Sequence, residues 1–349
     1  MPSIKYFFWP IIVTIAGLAG CFWLGWSSSG TLVGAFPYLL IGIVLSVLEI
    51  SLSFDNAIVN ANKLEQMTAL WRRRFLTWGI LIAVFGMRIV FPLAIVAVAA
   101  KITPWAAVEL ALSQPNEYER IIGDAHLSIS AFGGTFLMMV ALSYFIDGDK
   151  DIHWFQIIET RLRKWASIRG LEIAFVLLVV AGFGMVLPEA TVATFLMSSI
   201  FGLLTFLGVE LVGRVLDDEE STKGAVAQGG FGAFLYLEVL DASFSFDGVI
   251  GAFALTTNLF LIAIGLGIGA MYVRSMTIML VERGTLAEFR YLEHGAFYSI
   301  LVLSMIMFAQ SIVHIPEVVT GFLSAGLIGL ALWSSILYNR KHPEVLSTE

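Results

Sequence analysis

Charge is what this sequence has least of. Asp, Glu, Lys and Arg make up 13% of its 349 residues, about half the share of an ordinary soluble domain, and that scarcity excludes a water-soluble globule. A single cysteine, Cys21, excludes an internal disulfide and any multi-cysteine metal centre. The five histidines are scattered, without zinc-type spacing. No nucleotide-binding motif, nucleophile–base pair or zincin helix occurs, so no enzyme, organic cofactor or nucleic-acid partner is expected. The glycines at 265, 267 and 269, spaced at two in an apolar run, read as sites of close helix packing instead.

What the chain has in quantity is apolar length. Apolar residues are 58% of the sequence and lie in long runs. The expected fold is all-α: a polytopic membrane protein, one transmembrane domain over residues 1–349, with the lipid bilayer as its solvent. About ten spans are expected, near residues 8–26, 32–63, 75–100, 127–146, 171–187, 189–213, 230–257, 259–281, 295–313 and 316–338. With the N-terminus inside, sixteen of the twenty Lys and Arg fall on the cytoplasmic side, Lys101 and Arg120 outside, and Arg88 and Arg274 within spans. That is the positive-inside pattern, so a multi-pass protein of a bacterial-type plasma (inner) membrane with both termini cytoplasmic is expected. Lys5 followed by Leu18-Ala19-Gly20-Cys21 resembles a lipoprotein signal with a lipidated cysteine. The apolar run continues through Trp26, however, longer than a signal's apolar region, and reads as a first membrane helix.

Within these runs the chain says one thing twice. Residues 48–59 are LEISLSFDNAIV and residues 240–251 are LDASFSFDGVIG. The alignment is gapless: Glu49 matches Asp241, Ser51 matches Ser243, Ser53 matches Ser245 and Asp55 matches Asp247. The copies lie on spans two and seven and therefore cross in opposite directions. This predicts an inverted repeat, with a first core at 32–146, a second at 230–313 and the motifs meeting near mid-membrane. Each motif span is followed by an apolar helix with one arginine, Arg88 or Arg274.

Carboxylates within hydrocarbon are costly and must be compensated. On an unbroken helix Glu49, Ser53, Asn56 and Asn60 share one face, and Asp55 falls with Ser51 on another. The stretch 32–63 would measure about 48 Å against a core of about 30 Å, an excess that tilt in part and a break near Ser53–Asn56 for the rest could absorb. Local unwinding would let both faces converge. The donors would then be Glu49, Asp55, Asp241 and Asp247, the serine hydroxyls and the Asn56 amide. This all-oxygen set suits Mn²⁺, Ca²⁺ or Mg²⁺. The expected activity is export of a divalent cation as substrate, driven by H⁺ or Na⁺ exchange. The alternative is a membrane scaffold or stress-resistance protein, in which Arg88 and Arg274 pair with the acids as structural salt bridges.

Elsewhere the signals are weaker. The corners Leu187-Pro188-Glu189 and Ile315-Pro316-Glu317 read as tight turns, with Glu189 and Glu317 at helix starts. Residues 147–170 read as a cytoplasmic amphipathic linker. In it Trp154, Ile157, Ile158, Leu162, Trp165 and Ile168 form a lipid-facing stripe opposite Glu159, Arg163 and Lys164. Asp147, Asp149 and Asp151 alternate like the start of a calcium loop but lack its twelfth-position glutamate, and read as a solvated turn. Glu172, Glu210 and Glu238 lie near span ends, and His126 and His294 flank spans. Residues 101–126, with Glu109, Glu117, Glu119 and Asp124, read as an acidic outer loop.

At the repeated motif the chain resembles the TerC family of integral membrane proteins, named for tellurium resistance. LSFDNAIV at 52–59, FSFDGVIGAFALTTN at 244–258 and FRYLEHGAF at 289–297 carry the likeness. It covers spans two to four and seven to nine. Spans one, five, six and ten exceed that family's usual core, so the chain reads as a divergent branch of the kind described only as a domain of unknown function. The resemblance implies an exporter of divalent cations, most often Mn²⁺, with Glu49, Asp55, Asp241 and Asp247 as its acidic motif residues and Asn56 beside Asp55. Gly248 departs from the serine usual in the second copy.

Overall fold

The computed structural model describes residues 4–146, 152–165, 168, 170–221, 230–313 and 315–342. Among them every regular element is helical: α1 (Ile4–Ser29), α2 (Leu32–Leu52), α3 (Phe54–Glu65), α4 (Ala69–Leu81), a π-helical turn (Ile82–Val90), α5 (Phe91–Ala99), α6 (Pro104–Ser113), α7 (Pro115–Phe145), α8 (Gln156–Trp165), α9 (Leu171–Val186), α10 (Glu189–Ser221), α11 (Phe231–Leu255), α12 (Leu259–Arg283), α13 (Thr285–Glu288), α14 (Leu292–Gln310) and α15 (Glu317–Lys341). The chain is an all-α polytopic membrane protein.

Among the described residues, seven helices are long and apolar enough to cross a bilayer: Lys5–Ser29, Leu32–Leu52, Pro115–Phe145, Glu189–Val212, Leu259–Arg283, Leu292–Gln310 and Val319–Lys341. The other three expected spans are helical but fail for identifiable reasons. The third is interrupted by the π-helical turn. The fifth, α9, has 16 residues, about 24 Å against a core of about 30 Å. The seventh, α11, is long enough but carries Glu238, Asp241 and Asp247.

The chain divides into two compact units. One comprises Met1–Ala57, Ala69–His126 and Asp241–Met279; the other comprises Ile58–Thr68, Leu127–Leu240 and Leu280–Glu349. Each takes segments from both repeat cores, so the first-copy residues 49–57 and all of the second copy from Asp241 onward belong to one unit.

Local chemistry sets that unit's frame. Gly30 takes φ +67° just beyond α1, where glycine alone avoids a Cβ penalty. Thr31 then caps α2, its hydroxyl accepting from the Gly34 amide at 3.1 Å. The resulting hairpin packs tightly. A Cβ on Gly25 would lie 2.8 Å from the Ala35 Cα, and one on Gly42 would lie 2.7 Å from the Cys21 sulfur. Cys21 is fully buried in the body of α1, a packed helical position. Helix α12 packs on α2 through Gly265 and Gly269, four residues and so about one turn apart.

One expectation about the connecting regions changes. The acidic outer loop is largely helical: α6, capped by Thr103, and the first turns of α7 occupy it. There Arg120 pairs with Glu117 at 2.6 Å and with Asp124 at 2.9 Å, both exposed. Pro188 and Pro316 do precede helices beginning at Glu189 and Glu317, as first-turn acids favour. Asp147, Asp149 and Asp151 lie outside the described residues, as does the Glu317 side chain.

Candidate ion site

The first motif copy breaks within the stretch whose excess length a break could absorb. Helix α2 stops at Leu52, Ser53 takes φ −105° and ψ 16°, and α3 begins at Phe54. This sets Asp55 in the first turn of α3, at the positive end of its dipole. The Asp55 Oδ1 accepts the Asn56 amide at 2.8 Å, and Asp55 is fully buried. The second copy does not break: α11 runs continuously from Phe231 to Leu255. Its 25 residues measure about 37 Å, a length that modest tilt absorbs.

Glu49 is the best-defined carboxylate. It is buried, and its Oε1 accepts the Ser53 hydroxyl at 3.0 Å and an Arg88 Nη2 hydrogen. Arg88 is likewise buried and rides on the π-helical turn. Two glycines close the remaining sides. A Cβ on Gly269 would lie 2.4 Å from the Glu49 Cβ and Cγ, and one on Gly248 would lie 2.9 Å from the Glu49 Oε2. A serine at 248 would bring its Cβ against the flexible end of the Glu49 side chain, which would have to shift. The contact also brings the two copies together, since Gly248 belongs to the second and Glu49 to the first.

The other site residues divide. Asn56, Asp241, Ser243, Ser245 and Ser53 are all buried. Two of their oxygens, the Asn56 Oδ1 and the Ser245 Oγ, have no hydrogen-bond partner among the described residues. Buried orphan acceptors are rare, and here one comes from each copy. Ser51 does not join them. It is exposed and donates back to the Val47 carbonyl at 2.8 Å, the bond a helical serine makes when it faces away from partners. Arg274 is buried, donates to the Phe75 carbonyl and lies 4.1 Å from the Phe75 ring centroid. Its contacts thus include a carbonyl and a π-face. The Asp247 side chain lies outside the described residues. Among those described, no group of three or more His, Cys, Asp or Glu is placed to hold a metal ion.

In the other unit the structure assembles a cluster that the sequence did not announce. Glu159 of α8, expected on the solvated face of the linker, is buried, whereas Ile157 is 75% exposed. Its carboxylate accepts the Trp154 and Phe155 amides at 3.2 and 3.1 Å and the Tyr298 hydroxyl at 3.0 Å. His294 Nε2 lies 3.3 Å from the same carboxylate and 2.9 Å from the Ile152 carbonyl. His153 Nδ1 is 3.4 Å from it. Burial alone would raise the Glu159 pKa; the hydrogen bonds and charge of His294, the Phe155 amide and Tyr298 outweigh it and bring it down to about 2. His294, expected as a bland span flank, is thus an inner contact, with Tyr144 3.4 Å from its Nδ1. The carboxylate anchors the linker to α14. The only prior signal was His294 itself, because the spacing within α8 placed Glu159 with the charged residues. The side chains of Ile158, Leu162, Arg163, Lys164 and Trp165 lie outside the described residues. Glu238, expected near a span end, is also buried.

No curated relative and no solved structure matches this chain. The sequence model of one family, described as a protein of unknown function (DUF475), matches residues 54–342, and no TerC match accompanies it. This overturns the TerC reading: the shared SFD strings are short, whereas the matching family begins within the first motif, at Phe54, and runs through the second motif and the segments between that exceed the TerC core. The chain belongs to the DUF475 family.

Proposed function

We propose that this protein is a transporter for a hard divalent cation, working in a bacterial-type plasma (inner) membrane with both termini cytoplasmic and H⁺ or Na⁺ as the exchanged ion. One observation carries the reading: the buried Glu49 carboxylate of the first motif lies against Gly248 of the second, so the two motif copies meet at this carboxylate. The donor set fits such a cargo. It contains carboxylate, hydroxyl and amide oxygens and no sulfur or imidazole, the chemistry of Mn²⁺, Ca²⁺ and Mg²⁺. The Asn56 Oδ1 and Ser245 Oγ are oxygens that a bound cation would satisfy. Alternating access about the repeat would then carry the cation across.

The Glu49–Arg88 pair favours a second reading, a membrane scaffold or stress-resistance protein whose acids are structural. Uptake of Mn²⁺, Ca²⁺, Mg²⁺ and Zn²⁺ into vesicles carrying the purified chain separates the two, and inside-out vesicles give the direction. The transport reading expects uptake of a hard cation, lost in Asp55→Asn and Asp247→Asn while the melting temperature holds. Normal uptake in both variants removes the ion site, and no uptake by the parent chain leaves the structural role. Reporter fusions after Glu349 and within residues 104–120 should report opposite sides of the membrane; a common side would remove the inverted repeat.

A further inference from the structure

We propose that Arg88 is a tethered counter-ion that competes with the cargo for Glu49 and neutralises that carboxylate whenever the carrier is empty. This rests on the transport reading and deepens it. Three features of one unit lead here. Both partners are buried, and Arg88 shares Glu49 Oε1 with the Ser53 hydroxyl. Gly269 meets the root of the Glu49 side chain, where an added Cβ would lie 2.4 Å from its Cβ and Cγ, and Gly248 of the second motif faces its Oε2, so the ion pair sits where the two motif copies meet. The arginine is carried on nine residues of π-helix, Ile82–Val90, between the α-helical segments α4 and α5.

A divalent cation and a guanidinium cannot share one carboxylate oxygen, because two like charges a few ångströms apart in a poor dielectric repel strongly. Cargo binding at Glu49 must therefore displace Arg88. The π-helical turn supplies a route. Such turns are rare and wound one residue wide. Relaxation to α-helical winding would rotate the following side chain by about 100°, one residue's worth of helix. Once the cargo leaves, Arg88 returns. The cargo-free carrier then crosses its cycle without a bare Glu49 carboxylate in the membrane, which would otherwise be costly, and the H⁺ or Na⁺ exchanged on the return step need not bind at Glu49.

The test uses the full chain reconstituted in vesicles with Mn²⁺ as probe. Net uptake into Mn²⁺-free vesicles requires return of the empty carrier; exchange into Mn²⁺-loaded vesicles does not. Arg88→Gln should lower net uptake roughly tenfold or more while leaving exchange within about twofold, since only the empty carrier then exposes an uncompensated acid. Arg88→Lys, which keeps the charge, should retain both. In the parent chain Mn²⁺ should change the hydrogen-exchange protection of residues 82–90, a readout that stands even if Arg88→Gln does not fold. A parallel loss of uptake and exchange in folded Arg88→Gln, unchanged uptake in it, or protection of residues 82–90 indifferent to Mn²⁺ would each overturn the role of Arg88. A parent chain that takes up no Mn²⁺ overturns the role by removing the transport on which it rests; the variant comparison alone, with the parent active, overturns the role and leaves transport standing.

Discussion

Replacing Gly269 by alanine should destabilise the protein although alanine is the better helix former. Gly269 lies within α12, and an added Cβ would sit 2.4 Å from the Cβ and Cγ of Glu49 and 3.1 Å from the Ser46 carbonyl oxygen. Ordinary carbon–carbon contact needs about 3.5 Å, so α2 and α12 must part by about 1 Å. The atoms met are the root of a side chain and a backbone oxygen, neither of which can turn away by a rotamer change. Overpacking of this kind costs about 1–3 kcal/mol, against a gain of at most about 1 kcal/mol from the helix preference of alanine. The net expectation is a loss of about 1–2 kcal/mol. Gly182→Ala and Gly326→Ala are the controls: nothing lies within 4 Å of a Cβ at either position, so both should be neutral or slightly stabilising. Thermal melting of the three detergent-solubilised variants measures this. A Gly269→Ala protein melting at or above the parent, with the controls behaving as expected, would refute the close packing of α12 on the Glu49 segment and the cradle built from it.

Two further outcomes test individual contacts. The depressed Glu159 pKa, about 2 against an ordinary 4.5, means that its carboxylate contributes stability in full above about pH 4.5, which is lost as pH falls toward about 2. Glu159→Gln should therefore melt lower than the parent near neutral pH and converge with it in acid; parallel melting curves across that window would show that the carboxylate does not hold the linker. Ser53→Ala removes a hydrogen bond to the buried Glu49 carboxylate and should cost about 1.5–3 kcal/mol. Ser51→Ala, at an exposed serine bonded only to its own helix, should stay within about 0.5 kcal/mol. Equal melting of the two serine variants would contradict the faces assigned to them.

Composition and pattern alone named the solvent of this protein and marked its intramembrane acids. Scarce charge and long apolar runs dictate membrane helices, because every backbone polar group in a bilayer must be satisfied within the segment. The length of residues 32–63 left room for tilt or a break near Ser53–Asn56, and the helix does break, at Ser53. The gapless duplication marked Glu49, Asp55, Asp241 and Ser245, all of which are buried. Tertiary structure decided what periodicity cannot express. A helical wheel placed Ser51 beside Asp55, but beyond the break at Ser53 Asp55 is buried in the first turn of α3, whereas Ser51 is exposed on α2. The same wheel placed Glu159 among solvated charges, yet two histidines, a tyrosine hydroxyl and two amides drawn from separate segments make it an inward anchor. Gly248, a departure from the second copy's usual serine, proved to lie against the carboxylate of Glu49, 199 positions earlier in the chain. Local pattern fixes which groups enter the membrane, because hydrocarbon tests each segment alone; which of them meet is fixed by packing between segments, where a single Cβ decides the approach.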